Sequence, residues 1–131
     1  MQSCNTFNVR PKIHTDVYCD KMPYTLLNNI CYKSNPIDGK IIRIYIPKGF
    51  RWNGADILPI FWIVGSRFQP DYLWASMIHD FCCNNKHKFT NKQASVIFRD
   101  LLILCNVNIV KANIMMFFVY IWQAICGGWK K

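Results

Sequence analysis

The sequence predicts an α+β fold: a short antiparallel sheet made of N-terminal hairpins, a long irregular loop, then three helices packed together. Three observations predict it. Apolar residues alternate with a period of two before residue 50, they recur at helical spacing after residue 70, and the stretch between is dense in Gly, Pro and aromatics. A length of 131 residues suits one domain with one core, with residues 1–50 mainly strands, 50–70 loop and 70–131 helices.

The strands come first. Residues 24–33 and 41–46 are rich in Ile, Leu and Tyr, and the turn formers Ser34-Asn35-Pro36-Ile37-Asp38-Gly39 lie between them, which predicts a β-hairpin. In its second strand Ile42, Ile44 and Ile46 share one face while Ile41, Arg43 and Tyr45 share the other. A weaker strand signal covers residues 7–18. Residues 49–69 then form a segment long for a structureless loop, and such loops commonly carry function.

The helices follow. Pro70 and Asp71 suit a first turn, so a helix is expected from there to about Cys83. Thr90-Asn91-Lys92-Gln93 has the spacing of a capping box, opening a second helix whose apolar face is Ala94, Ile97, Phe98, Leu101, Leu104 and Cys105. A third runs over about residues 108–126. Residues 112–129 carry no charge and precede Lys130-Lys131. Asn113, Gln123 and Gly127-Gly128 favour a buried core helix over a membrane span there, with an interfacial role as the rival.

Composition narrows the function classes. With 52% apolar, 15% aromatic and 18% charged residues, the chain is not a disordered or nucleic-acid-binding tail. The net charge of +9 is spread evenly, since residues 1–65 hold eight Lys/Arg against four Asp and residues 66–131 hold eight against three. Scattered solubilising cations explain that better than a polyanion site, and no specific nucleic-acid motif is present. All seven acids are aspartates. The seven cysteines lack the spacing of a disulfide scaffold, and the N-terminus lacks the apolar stretch of a signal peptide, so a reducing, cytoplasmic setting is expected.

The sharpest local feature is His79-Asp80. On a helix His79 shares a face with the small residues Ala75, Ser76, Cys82 and Cys83, which leaves room for a substrate, a water or a closely packed neighbour. Asp80 points about 100° away. A histidine is a natural general base, and a carboxylate beside it can hold a cation or anchor a loop. The second candidate is the loop residues Trp52, Asn53, Gly54, Ala55 and Asp56, where Asp56 and backbone carbonyls could ligate a hard cation such as calcium together with Asp80. An Asx-type turn is the plainer reading of that loop. Zinc on His79, Cys83 and His87, with Cys82 near, is the weakest metal reading, because Asn84-Asn85 weaken the helix and no Cys-x-x-Cys adds ligands. A nucleophilic Cys82 or Cys83 activated by His79 lacks a nameable orienting group.

The order of YTLLNNICY, IPKGFRWNGADILPIFW, YLWASMIHDFCC, KQASVIFRDLL and the closing aromatic helix resembles a family of small phage and prophage proteins, domain of unknown function 1353, over about residues 24–128. Phe50, Asn53, Ala55, Asp56 and the His79-Asp80 pair match its pattern, while Pro59 sits one place late. The same order is faintly similar to secreted phospholipases in which a helical histidine activates water, the adjacent aspartate holds calcium and a second aspartate orients the histidine. Their disulfides and full calcium loop are missing here. Two positions depart from the related pattern: Ser95 stands where an aspartate is common, and Cys83 replaces an aromatic. Asp100 could serve as the orienter, although it lies about 140° round the helix from Ser95.

Three functions compete on this basis. The first is a hydrolase of ester or phosphoester bonds, with His79 as base, Asp80, Asp100 and Ser95 beside it, and a divalent cation on Asp80 and Asp56. The second is a non-catalytic module, virion-associated or directed at a host-cell component, in which the His-Asp pair is structural and Trp52, Phe61 and Trp62 form a contact surface. The third is weak membrane association through the last helix. A buried, fully bonded His79 with no cavity beside it favours the second, and an open polar pocket beside it favours the first.

Overall fold

A computed structural model describes residues 6–16, 24–52 and 70–125. Short antiparallel strands precede three helices, the α+β order expected. The chain divides into two compact units, Met1–Asn53 and Gly54–Lys131.

Among its described residues the first unit contains two three-stranded antiparallel sheets rather than one sheet. Strand β1 (Thr6–Phe7) pairs with β4 (Ile30–Lys33), which pairs with β5 (Arg43–Ile46). Strand β2 (Ile13–Thr15) pairs with β3 (Tyr24–Leu26), which pairs with β6 (Arg51–Trp52). The expected hairpin is the β4–β5 pair, in register from Ile30 opposite Ile46 to Lys33 opposite Arg43. Its tip is Ile37-Asp38-Gly39-Lys40, where Ile37 and Lys40 exchange both backbone hydrogen bonds at 2.7 and 3.0 Å. Asp38 and Gly39 have φ of 52° and 81°, the pair of positive values that a type I′ turn demands. Ile44 and Ile46 are buried while Arg43 and Tyr45 face outward, as the period of two dictates.

The apolar run over residues 24–33 does not form one strand. It breaks at Leu27-Asn28-Asn29, and its halves join different sheets. The two asparagines supply the reason, because their side chains take up backbone groups from other segments. Asn28 Oδ1 accepts from Lys12 N at 3.0 Å and its Nδ2 donates to Arg10 O at 3.2 Å. Asn29 Oδ1 accepts from Lys48 N at 2.8 Å. A carboxamide that satisfies distant backbone groups competes with continued strand pairing. The unit's core gathers Tyr24, Leu26, Ile30, Tyr32, Ile44, Ile46 and Trp52, all nearly inaccessible.

The second unit consists, among its described residues, of α1 (Pro70–Cys83), α2 (Asn91–Leu104) and α3 (Ile109–Ile125). Helix α2 packs against both α1 and α3. Its capping box forms as expected: Thr90 Oγ1 accepts from Gln93 N and Gln93 Oε1 accepts from Thr90 N, both at 3.0 Å. The helix ends in a Schellman motif with Asn106 at φ 70°, Asn106 N donating to Ile103 O and Val107 N to Leu102 O. Two packing partners bury more of α2 than the expected stripe. Ser95, Asp100 and Leu102 are buried besides Ala94, Ile97, Phe98 and Leu101, while Leu104 is exposed.

Helix α3 is opened by Asn108, whose Oδ1 accepts from Val110 N at 2.8 Å. The expectation that this segment is a wholly buried core helix is corrected. Only Ala112, Met115, Val119 and Gln123 are buried, a single stripe at i, i+3, i+7 and i+11. Most of its remaining apolar side chains are exposed, because α2 covers one side only. No helix among the described residues is long and apolar enough to cross a membrane.

Candidate functional site

Helix α1 is buried on every side over its middle turns. All six residues from Ala75 to Asp80 are buried, so the helix is core rather than an amphipathic surface element. Ser76 Oγ donates back to Leu73 O at 2.9 Å, which satisfies the hydroxyl within the helix. After Cys83 the chain turns. Asn85 N donates to Cys82 O and Asn85 Nδ2 to Phe81 O, and these bonds consume carbonyls that a longer helix would use.

His79 has no exposed surface. Its Nδ1 lies 3.6 Å from Cys83 Sγ, one turn on. With the ring proton on Nε2 the thiol donates to Nδ1, and with it on Nδ1 the ring donates to sulfur. The imidazole also meets the ring of Phe98 edge-on, with centroids 5.7 Å apart. Of the alternatives for the space beside His79, a packed neighbour is present, the aromatic of α2. Asp80 is buried at 6% exposure, and both His79 and Asp80 are engaged by further interactions. A buried carboxylate is tolerated only where other groups satisfy it.

The remaining candidates are dispersed. Ser95 Oγ donates to Asn91 Oδ1 at 3.2 Å, and Asn91 Nδ2 in turn donates to Tyr120 O of α3 at 3.0 Å. Asp100 accepts from Arg99 Nε and Nη2 at 3.1 and 3.0 Å, and Arg99 Nη1 reaches Asn113 Oδ1 of α3 at 3.5 Å. These bonds of Ser95 and Asp100 run within α2 and, through Asn91 and Arg99, on to α3. Trp52 lies in β6 at 1% exposure, stacked on Phe50 and tilted against Tyr24, so it is core and not contact surface. Asn53, Gly54, Ala55, Asp56, Phe61 and Trp62 lie outside the described residues.

The metal and thiol readings meet the same geometry. Because α1 ends at Cys83, His87 falls in the following turn, exposed, and does not continue the line of His79 and Cys83. Among the described residues no three His, Cys, Asp or Glu side chains come together as a metal site. Burial pushes the Cys82 thiol up to about 12, which removes it as a thiolate nucleophile at neutral pH.

Two further features stand out. One is a groove of about 310 Å³ between α2 and α3, lined by Lys92, Ser95, Val96, Met116, Phe117 and Tyr120. The other is the exposed apolar face of α3, with Phe117, Phe118, Tyr120 and Trp122 all at least 40% exposed. Its signal was in the sequence: α3 is apolar around most of its circumference, more than one stripe against a neighbour can bury.

A family profile described as Protein of unknown function (DUF1353) matches residues 24–119. An uncharacterized protein, y4jT, of Sinorhizobium fredii is 46% identical over 44 residues, which is 33% of this chain. The chain spans only 13% of that relative's length. No solved structure matches the chain at a significant level.

Proposed function

The chain belongs to the DUF1353 family, and from that premise we propose that it is a non-catalytic interaction module in which His79 and Asp80 build the helical core. Contacts are made by the exposed face of α3 in place of Trp52, and in a phage or prophage protein they would be directed at a virion or host component. The observation that carries this reading is the complete burial of His79, edge-on to Phe98 and beside Cys83. A general base must reach the proton that it abstracts, directly or through one water. An imidazole without exposed surface, packed on an aromatic edge, is placed to hold two helices together. The exposed aromatics of α3 supply what a module needs instead, since contiguous apolar surface on a folded chain marks a contact site.

The test is turnover. The purified chain is offered p-nitrophenyl esters and bis(p-nitrophenyl) phosphate, with and without calcium, and no hydrolysis above buffer is expected. Hydrolysis that disappears in a folded His79→Gln variant would overturn the module in favour of the hydrolase.

A further inference from the structure

We propose that the outer face of α3 rests on an anionic lipid surface. This deepens the interaction-module reading by naming the partner of that face.

The shape of the face comes first. The buried stripe of α3 is Ala112, Met115, Val119 and Gln123. At about 100° per residue, Val110 and Phe117 lie diametrically opposite it, and they are 63% and 59% exposed. Ile114, Phe118, Ile121 and Ile125 flank them, also exposed. The apolar surface therefore covers more than half of the helix circumference and is convex. A protein partner would need a matching groove, whereas a bilayer interface conforms to a ridge. Tyr120 and Trp122 at its margins carry one polar atom each on an apolar ring, the side chains suited to the boundary between lipid and water.

Charge names the lipid. Between residues 73 and 125 the acidic side chains are Asp80 and Asp100, and both are buried. The exposed charges in that span are all basic, Lys86, Lys88 and Lys92, and Lys111 stands half-exposed on α3 itself. Lys92 sits on the rim of the groove beside Phe117 and Tyr120. Residues 73–125, without an exposed carboxylate and on a chain of net charge +9, complement anionic headgroups. A second copy of the chain would bring the same positive charge to the contact. No described helix is long and apolar enough to cross a bilayer, and in the proposed contact α3 lies along the interface.

The experiment is cosedimentation of the full chain with vesicles of phosphatidylglycerol and phosphatidylcholine, against phosphatidylcholine alone. Partition onto the anionic vesicles is expected to be about tenfold or more higher, and to fall as NaCl is raised from about 0.05 to about 0.5 M. A Val110→Ser, Phe117→Ser double variant with an unchanged circular dichroism spectrum is expected to partition about tenfold or more weakly, from the apolar area withdrawn. Lys92→Gln keeps the apolar face and is expected to reduce only the anionic preference. The proposal is overturned if the wild-type chain stays in the supernatant with both vesicles, or if the double variant binds as well as wild type. A dimer in sedimentation equilibrium that the double variant splits, without vesicle binding, also removes the lipid and leaves the interaction module standing. Hydrolysis dependent on His79 removes the module whatever the vesicles show.

Discussion

His79 Nδ1 stands 3.6 Å from Cys83 Sγ, four residues on along one helix, while the imidazole edge meets Phe98 of the next. The contact with Phe98 makes His79 a tie between helices α1 and α2. Its substitution is therefore a stability experiment before it is an activity experiment. His79→Ala leaves a void against Phe98 and removes one neighbour of the Cys83 thiol. A loss of about 2–4 kcal/mol is expected, the range for emptying a buried site. Urea denaturation followed by circular dichroism measures it, and an unchanged midpoint would show that the imidazole contributes nothing to the core.

The pair was legible in the sequence as a singular feature, and its role was not. The small residues Ala75, Ser76, Cys82 and Cys83 suggested room for a close neighbour of the histidine. Sequence spacing cannot say whether that neighbour is a ligand or another side chain, because Phe98 arrives from a different helix. The helices themselves were readable to within a residue or so, since capping chemistry is local: Thr90 with Gln93, and Pro70 at a first turn. The β4–β5 hairpin was equally local, being fixed by Asp38-Gly39. The break at Asn28-Asn29 was not, because its cause is hydrogen bonding to Arg10, Lys12 and Lys48, remote in sequence. The sequence offers the openness of α3 only as the rival to a buried core helix, because an apolar stretch does not say by itself which of its sides a neighbour covers.

Cys82 gives a prediction with a defined pH window. Burial raises its thiol from the ordinary 9.0 to about 12, so the folded chain keeps a proton that the unfolded chain releases between those values. A raised folded value means stability fully present below about pH 9 and lost as pH climbs towards 12. The slope from this one group reaches at most about 1.4 kcal/mol per pH unit. Stability measured at pH 8, 9 and 10 is expected to decline, and a Cys82→Ala chain is expected to decline less steeply. At pH 8 iodoacetamide followed by peptide mass spectrometry should modify the half-buried Cys31, Cys83 and Cys105 ahead of Cys82. Early labelling of Cys82 in the folded chain would contradict its burial.

The two sides of α3 give the sharpest contrast in stability. Val119 lies in the buried stripe against α2, and Val110 lies opposite at 63% exposure. The same substitution at the two sites isolates the packing, because residue type and helix are held constant. Val119→Ala is expected to cost about 2 kcal/mol, for the buried methyl groups and the space that they leave. Val110→Ala is expected to stay within about 0.5 kcal/mol of wild type, and the better helix propensity of alanine works in its favour. Thermal unfolding of both variants at low protein concentration, in the absence of lipid, makes the comparison. Equal losses at the two positions would mean that the outer face is already packed in the isolated chain, and an α3 covered in that way could present nothing to a partner.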